Sequence, residues 1–513
     1  MTARPPNLLL IMADQLAASS LPCYSHPLVK APNIAALAER GAVFDAAYCN
    51  SPICAPSRFS MLTGRLPTRI GAFDNASEFP AALPTLMHYL RAAGYLTVLA
   101  GKMHFIGPDQ LHGYKERLIT DIYPADFSWT PNWRAGPTDR PSGISMNNVR
   151  EAGVCVRSLQ MDYDDEVESL AIQKLYDLAR LPDCPPFFLT VSFSHPHPPF
   201  TIDAAHWDLY EHQSVPMPTV QPIPFSQRDR QSQWLHVSHG ADRRPVSDEQ
   251  VRNARHAYYG MASYVDDKVG RLVRTLQACG MYDETIIVFT SDHGEMLGER
   301  GMWYKQTFFE PSSRVPLIFH APSRFPAQRV AQPVSLLDLL PTLTDLAHAT
   351  PRQWVDPLDG ASLAQALYLR TAPESRDIVC EYTDMGVCAP CRMIRRGSYK
   401  YVYVHREAPQ LFDVLKDPHE LENLAGRPEC VDIEHELKAA ILSSWDPDRV
   451  EEEVLASQRR RLFIKQATDG TGAPVDWNYH ARPDDAVRFV RAGGAAGAKA
   501  RARFPFVPPL PDA

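Results

Sequence analysis

A cysteine ahead of a helix start, two carboxylates, a pair of lysines and several histidines are the residues here with chemistry to offer. Cys54 opens the string Cys54-Ala55-Pro56-Ser57-Arg58, where Pro56 suits a first helical turn. A cysteine at a helix N-terminus sits in positive potential, which suits a nucleophile or an anion site. The other groups follow short apolar runs. Asp14 comes after the first, Lys102 and His104 after the second, His195 and His197 after the third, and Asp292 and His293 after the fourth. Lys305 lies in the loop before the next run. Alone, each has an ordinary role, as a capping aspartate, a surface lysine or a hydrogen-bonded core histidine. Together they are complementary: two carboxylates and a histidine can hold a hard cation, while two lysines and two histidines can surround an anion.

The elements that must position these groups alternate in type. Apolar runs at 7–13, 96–100, 187–193, 285–290 and 317–319 predict buried strands. Helical patterns over 34–42, 86–93, 165–178 and 251–279 separate them. The expectation is an α/β fold with a large, mostly parallel sheet covered on both faces, and ligands in such sheets bind beyond the carboxyl ends of the strands. After about residue 375 the character changes. Segments 377–382, 392–395, 399–404 and 410–413 predict a small antiparallel sheet with a helix or two after it, an α+β subdomain. The expected division is 1–375 for the catalytic domain, 376–456 for this subdomain and 457–513 for a tail. The tail is charged, then low in complexity at 493–500, then proline-rich at 505–511, and its Phe463, Trp477, Tyr479 and Phe489 need somewhere to dock.

Composition narrows the function. The chain has 513 residues, 45% of them hydrophobic and 22% charged, as expected of a folded protein. Its net charge of -8 argues against a nucleic-acid partner. No run approaches the ~20 apolar residues of a membrane span, and no basic leader precedes residues 8–13, so a cytoplasmic protein without membrane partners is expected. Ten cysteines without a spaced framework predict reduced thiols, and Cys388-Ala389-Pro390-Cys391 reads as local packing.

The Cys54 string, followed by Thr63-Gly64-Arg65, resembles the sulfatase signature, in which the cysteine is oxidised after synthesis to formylglycine. The resemblance covers nearly the whole chain. Residues 11–15 look like the family's first metal strand, Gly101-Lys102-Met103-His104 like its G-K-x-H and Pro196-His197 like its P-H loop. Ser291-Asp292-His293-Gly294 and Trp303-Tyr304-Lys305 match its second metal pair and last lysine loop. Within the family, Asp74-Asn75-Ala76, the string at 107–113 and the string at 121–127 are similar to those of choline sulfatases. So is Ser457-Gln458-Arg459-Arg460 in the tail.

The resemblance implies an alkaline-phosphatase-like fold and hydrolysis of a small sulfate ester, most closely choline sulfate. Asp14, Asp292, His293 and the modified Cys54 would bind Ca²⁺, with Mg²⁺ or Mn²⁺ as alternatives. A hydroxyl of the hydrated aldehyde at Cys54 would be the nucleophile, and His104 the base that later expels sulfate. Arg58 and Lys102 would orient the hydrate and the sulfate oxygens, and His197 and Lys305 would act on the bridging oxygen. His197 is preferred over His195 on the motif. Asn75 would bind the ester, while Trp129 and Glu381 would hold the quaternary ammonium, a group recognised by aromatic faces and a nearby carboxylate. Two departures stand out. Gln15 replaces the second aspartate of many sulfatases, and Ser145-Met146-Asn147-Asn148 stands where choline sulfatases show a His-Asn pair. The implied partners are a formylglycine-generating enzyme and further copies of the chain, as a homo-dimer or tetramer joined through the tails. The alternatives are an arylsulfatase or phosphonate or phosphate ester hydrolase of the same superfamily, an inactive sulfatase-like binding protein, and a thiol enzyme using unmodified Cys54.

Overall fold

The computed structural model of the chain describes residues 5–349, 351, 353–472 and 475–480, so Phe489 and the 493–511 stretch lie outside the described residues. Its centre is the first apolar run. β1 (Asn7–Ala13) is buried along its whole length, and successive side chains of a strand point to opposite faces. Leu8, Leu10 and Met12 therefore enter one core, and Leu9, Ile11 and Ala13 another. A strand that must be apolar on both faces cannot alternate with polar residues, which is why the run is continuous.

Seven further strands extend the sheet: β2 (Ala42–Phe44), β3 (Leu96–Gly101), β4 (Glu116–Arg117), β5 (Phe187–Ser192), β6 (Thr285–Ser291), β7 (Leu317–His320) and β8 (Gln328–Val330). Their spatial order is β8-β2-β7-β6-β1-β5-β3-β4. Every pairing is parallel except those of β7 with β6 and β2. The sheet is thus mixed and mostly parallel. The five predicted strands are β1, β3, β5, β6 and β7; β2, β4 and β8 add two or three residues each. The helix expected over 34–42 is α1 (Pro32–Glu39), and Ala42 belongs to β2 instead. Gly41 separates them, packed so closely that a Cβ there would meet the carbonyl oxygens of Phe319 and Leu37 at 2.5 and 2.6 Å.

The helices cover the two faces. α2 (Cys54–Thr63) and α3 (Leu86–Ala92) pack on the Leu8 side, where Phe59 of α2 stacks on Phe79 at 4.3 Å. Truncating such a ring to alanine costs about 3–5 kcal/mol. α4 (Leu159–Ala179) and α5 (Asp248–Ala278) cover the Leu9 side. Ser158 caps α4, and a Ser247–Gln250 capping box starts α5, which satisfies backbone donors that a helix start leaves unpaired.

β9 (Ile378–Tyr382), β10 (Cys391–Arg396), β11 (Tyr399–Val404) and β12 (Gln410–Asp413) form the expected antiparallel sheet, as a meander in chain order. Its Cys380, Tyr382, Met393 and Tyr401 share one core with Phe59 and Phe79. Two helices follow, α6 (Val431–Ser443) and α7 (Pro447–Asp469). Asp446 caps α7, whose 23 residues run unbroken through Ser457. Beyond it Trp477 packs edge-on against Phe127 at 5.2 Å. Among the described residues no helix is long and apolar enough to cross a membrane.

Candidate active site

Strand register brings the chemistry together. Met12 of β1 and Gly101 of β3 both pair with Ser192 of β5, and Ala13 pairs with Ser291 of β6. The four ends are therefore level, and Asp14, Lys102 and Asp292 leave the sheet side by side. Gly101 makes this possible: its φ is +106°, and a Cβ would meet the Ser192 carbonyl oxygen at 2.0 Å. Three residues on, His104 has a φ of +58°, unusual for a side chain of its size. Asp121 holds it there by accepting the Met103 and His104 backbone N–H groups at 2.9 and 2.7 Å.

The donor atoms of Asp14, Cys54, Asp292 and His293 all lie within 4.8 Å of one another, and all four residues are buried. His293 Nε2 is 3.2 Å from Cys54 Sγ, 3.8 Å from Asp14 Oδ1 and 3.7 Å from Asp292 Oδ1. Burial and the nearby Asp292 and Cys54 push the Asp14 carboxyl up to about 7, against the pull of Lys102 and Lys305. Burial acts on Asp292 too, but Arg58 and His293 overcome it and hold that carboxyl well below the usual range. Two buried carboxylates, an imidazole nitrogen and a sulfur in one cluster form a donor set that fits a divalent cation.

Cations surround the same cluster. Lys102 Nζ donates to Asp14 Oδ2 and lies 4.2 Å from the ring centre of Tyr123. Arg58 donates to Asp292 Oδ2 at 2.8 Å, to the Lys102 carbonyl at 2.6 Å and to Ser192 Oγ at 2.9 Å. Losing one partner of such a buried pair costs about 3–5 kcal/mol. Lys305 Nζ reaches Cys54 Sγ at 3.5 Å. Burial alone would raise the Cys54 thiol pKa, but Lys102, Lys305 and His293 outweigh it and hold the group well below its ordinary value. Cys54 is the first residue of α2, and the next backbone N–H, of Ala55, donates to Asn75 Oδ1 at 2.9 Å.

The histidines separate by environment. The His104 ring is buried beside Cys54, and burial lowers its pKa while Cys54 pulls the other way. His197 Nδ1 lies 2.7 Å from the Pro198 carbonyl and 3.0 Å from Tyr123 Oη, and burial with Lys305 and Lys102 keeps its pKa well below the ordinary value. His195 turns away from the cluster to Asp164 Oδ2, at 2.6 Å, against Tyr264.

Among the expected substrate residues, Trp129 stands edge-on to His104 with ring centres 5.6 Å apart, and lies 5.0 Å from Tyr123. Asn75 lies beyond α2 in sequence but against its first turn, its Oδ1 accepting from Ala55 N. Glu381 is placed elsewhere: its buried carboxylate accepts from Thr68 N at 2.9 Å and Thr68 Oγ1 at 3.1 Å, and pairs with Arg392 at 3.5 Å. Arg392 faces it because β9 and β10 pair Glu381 with Arg392 in register. Asn147 is exposed, with its Oδ1 taken by Arg150.

Asp121 and Tyr123 lie in the 121–127 string and Ser192 just ahead of the P-H loop, with no role read from any of them, and Glu295 lies outside every string. Glu295 explains Gln15. Gln15 Nε2 donates to Glu295 Oε2, and a carboxylate only accepts, so the amide oxygen must face the other way, to Lys305 Nζ. Glu295 also accepts from Tyr304 N at 2.6 Å, which fixes the backbone just before Lys305. The spacing Asp292-His293-Gly294-Glu295 was the available signal for it.

The description "Sulfatase" belongs to the family whose profile matches residues 6–349, more than half the chain. The chain belongs to the sulfatase family. A second profile, described as "N-sulphoglucosamine sulphohydrolase, C-terminal", matches residues 298–445 of this sulfatase. The sulfatase is 43% identical over 504 residues to a choline-sulfatase of Rhizobium meliloti (strain 1021), covering 96% of each chain. It is 28% identical to arylsulfatase K of Xenopus laevis, over 93% of this chain and 91% of that one. Among solved structures, a phosphonate monoester hydrolase of Agrobacterium radiobacter matches with a TM-score of 0.66 and 25% identity, covering 85% of this chain and 95% of that one. The sulfatase is therefore a sulfuric ester hydrolase with the alkaline-phosphatase-like fold.

Proposed function

We propose that this sulfatase hydrolyses choline sulfate to choline and sulfate in the cytoplasm, after a formylglycine-generating enzyme has converted Cys54. A divalent ion, Ca²⁺ by preference, would be held by Asp14, Asp292, His293 and the modified residue 54. The observation that carries the reading is the buried four-residue donor cluster together with Trp129 edge-on to His104, their ring centres 5.6 Å apart. The likeness to a choline-sulfatase over 96% of the chain supports the substrate.

Charge balance supports the cation. Arg58, Lys102 and Lys305 face three carboxyl groups, Asp14, Asp292 and Glu295, which offset much of their pull on an anionic ester. Bound, the ion and the hydrated aldehyde supply the positive excess and the nucleophilic oxygen. The chain's own residues do the rest. Arg58 fixes the Asp292 carboxylate and the Lys102 backbone, while Lys102 and Lys305 place ammonium groups against the sulfate oxygens. His104, kept neutral by burial and set beside residue 54, takes the proton whose loss releases sulfate. Lys305 and His197 stand at the leaving oxygen, where an alkoxide needs a proton more than a phenoxide does. Trp129 offers its face to the ammonium, a contact worth about 0.5–2 kcal/mol.

Choline sulfate, an aryl sulfate and a phosphonate monoester, assayed side by side on aldehyde-bearing protein, test this. Preference for choline sulfate is expected. Preference for the phosphonate would favour the second reading, which rests on the structural likeness to a phosphonate monoester hydrolase. We further propose that the subunits form a dimer or tetramer through the C-terminal region. Phe463 on α7 is 71% exposed and supplies apolar surface for it. Light scattering of Phe463→Glu protein should then show a smaller mass, and an unchanged mass counts against this contact.

A further inference from the structure

α7 enters the wall of the substrate pocket through one side chain. Arg461 is 5% exposed, and its Nη1 and Nη2 donate to Asp74 Oδ1 and Oδ2, each at 2.6 Å. Nη1 also lies 3.4 Å from Thr130 Oγ1. Asp74 precedes Asn75, and Thr130 follows Trp129. One guanidinium thus joins the two segments that carry both pocket-wall residues, from positions 387 and 331 residues away in the chain.

Other bonds from the same helix converge on the same loop. Gln458 Oε1 accepts from Trp133 N at 3.0 Å, and Lys465 Nζ donates to the Ser128 carbonyl at 3.0 Å. The buried residues of α7 are Pro447, Val450, Val454, Gln458 and Arg461. Its first half docks by apolar contact, whereas its second half docks through two buried polar side chains, each bonded to the pocket wall. On the far side, Asp384 Oδ2 accepts from Asn75 N at 3.0 Å, so the Asn75 segment is gripped from two directions. A bidentate fork is needed for this geometry, and lysine does not supply one.

We propose that Arg461 is a positioning residue for substrate choice, setting the Trp129 loop against Asn75 so that the pocket is formed before the ester arrives. The inference rests on the reading above, in which Trp129 and Asn75 face choline sulfate.

The test compares R461K, R461Q and the charge-balanced double variant D74N/R461Q with the parent. The double variant removes both members of the Asp74–Arg461 pair together and keeps the question answerable if R461Q does not fold. Two readouts are taken: backbone hydrogen exchange across residues 125–133, and kcat and KM for choline sulfate and para-nitrophenyl sulfate. Expected are faster exchange in that segment and an about tenfold loss of preference for choline sulfate, carried by KM, with kcat on the aryl ester within about twofold. R461K should fall between parent and R461Q. Unchanged exchange in D74N/R461Q, or equal losses on both esters, would overturn the proposal. If the parent itself shows no preference for choline sulfate, the substrate reading fails, and the exchange measurement alone still decides what Arg461 does.

Discussion

The two halves of the pocket are built differently. The half that would meet sulfate stands on the ends of β1, β3 and β6 and on the first turn of α2, where register and burial leave each side chain little freedom. The half that would meet the alcohol stands on loops around Asn75 and Trp129, tied down by α7 from the far end of the chain. In the first, position follows from a few adjacent strand pairings. In the second, it depends on single long-range bonds. Changes in the first half should therefore destroy turnover, and changes in the second should alter which ester is turned over.

The largest effect expected is in the first half. Asp292→Asn removes a carboxylate from the cation cluster and the partner of Arg58, and kcat should fall at least about a thousandfold. A residual rate within tenfold of the parent would erase the distinction between the halves. Chelator treatment comes next: activity should vanish, Ca²⁺ should restore it, and the melting temperature should fall with the ion, because binding to the folded state alone stabilises it. An unaltered melting temperature in both states would contradict a resident ion in this cluster. Lys305→Ala should slow choline sulfate about a hundredfold while slowing an aryl sulfate less, since only the alkyl leaving group depends strongly on a proton donor. Equal slowing would remove Lys305 from the leaving oxygen.

The second half should respond more gently. Trp129→Ala should raise KM for choline sulfate about tenfold with little change in kcat. Glu381→Gln should leave kcat/KM unchanged and lower stability by about 1–3 kcal/mol, since that carboxylate is committed to Thr68 and Arg392. The pH profile sharpens the same contrast. His104 is held neutral by burial, with its pKa lowered from 6.5, so the base is ready at neutral pH and is lost only as pH falls through that lowered value. The acid limb of kcat/KM should therefore lie below 6.5, and Trp129→Ala should not move it. A limb at or above 6.5 would take the base role from His104.

The same contrast governs how far the molecule could be read from its residues. β1, β3, β5 and β6 announce themselves as unbroken apolar runs because both of their faces are covered, and the groups that follow them are the ones the structure gathers. β2 is three residues long and only two residues separate it from the end of α1, so periodicity extends the helix into it. Glu381 is the instructive miss. Its place on a strand of the small sheet is readable, but its partner Thr68 lies 313 residues away, and no local pattern encodes that meeting. Tyr123 lies inside a family string with no role attached and Glu295 outside every string, and their roles appear only once His197 and Gln15 have been placed beside them. Gln15 itself looked like a lost ligand; Glu295 shows it instead as an amide with its oxygen turned to Lys305.

If residue 54 works as an aldehyde beside a cation, the mass of the tryptic peptide 41–58 from protein actively cleaving choline sulfate reveals it. The sulfur of Cys54 should be missing from a fraction of molecules that rises in proportion to turnover. Full turnover by protein whose peptide carries only the intact thiol would contradict it.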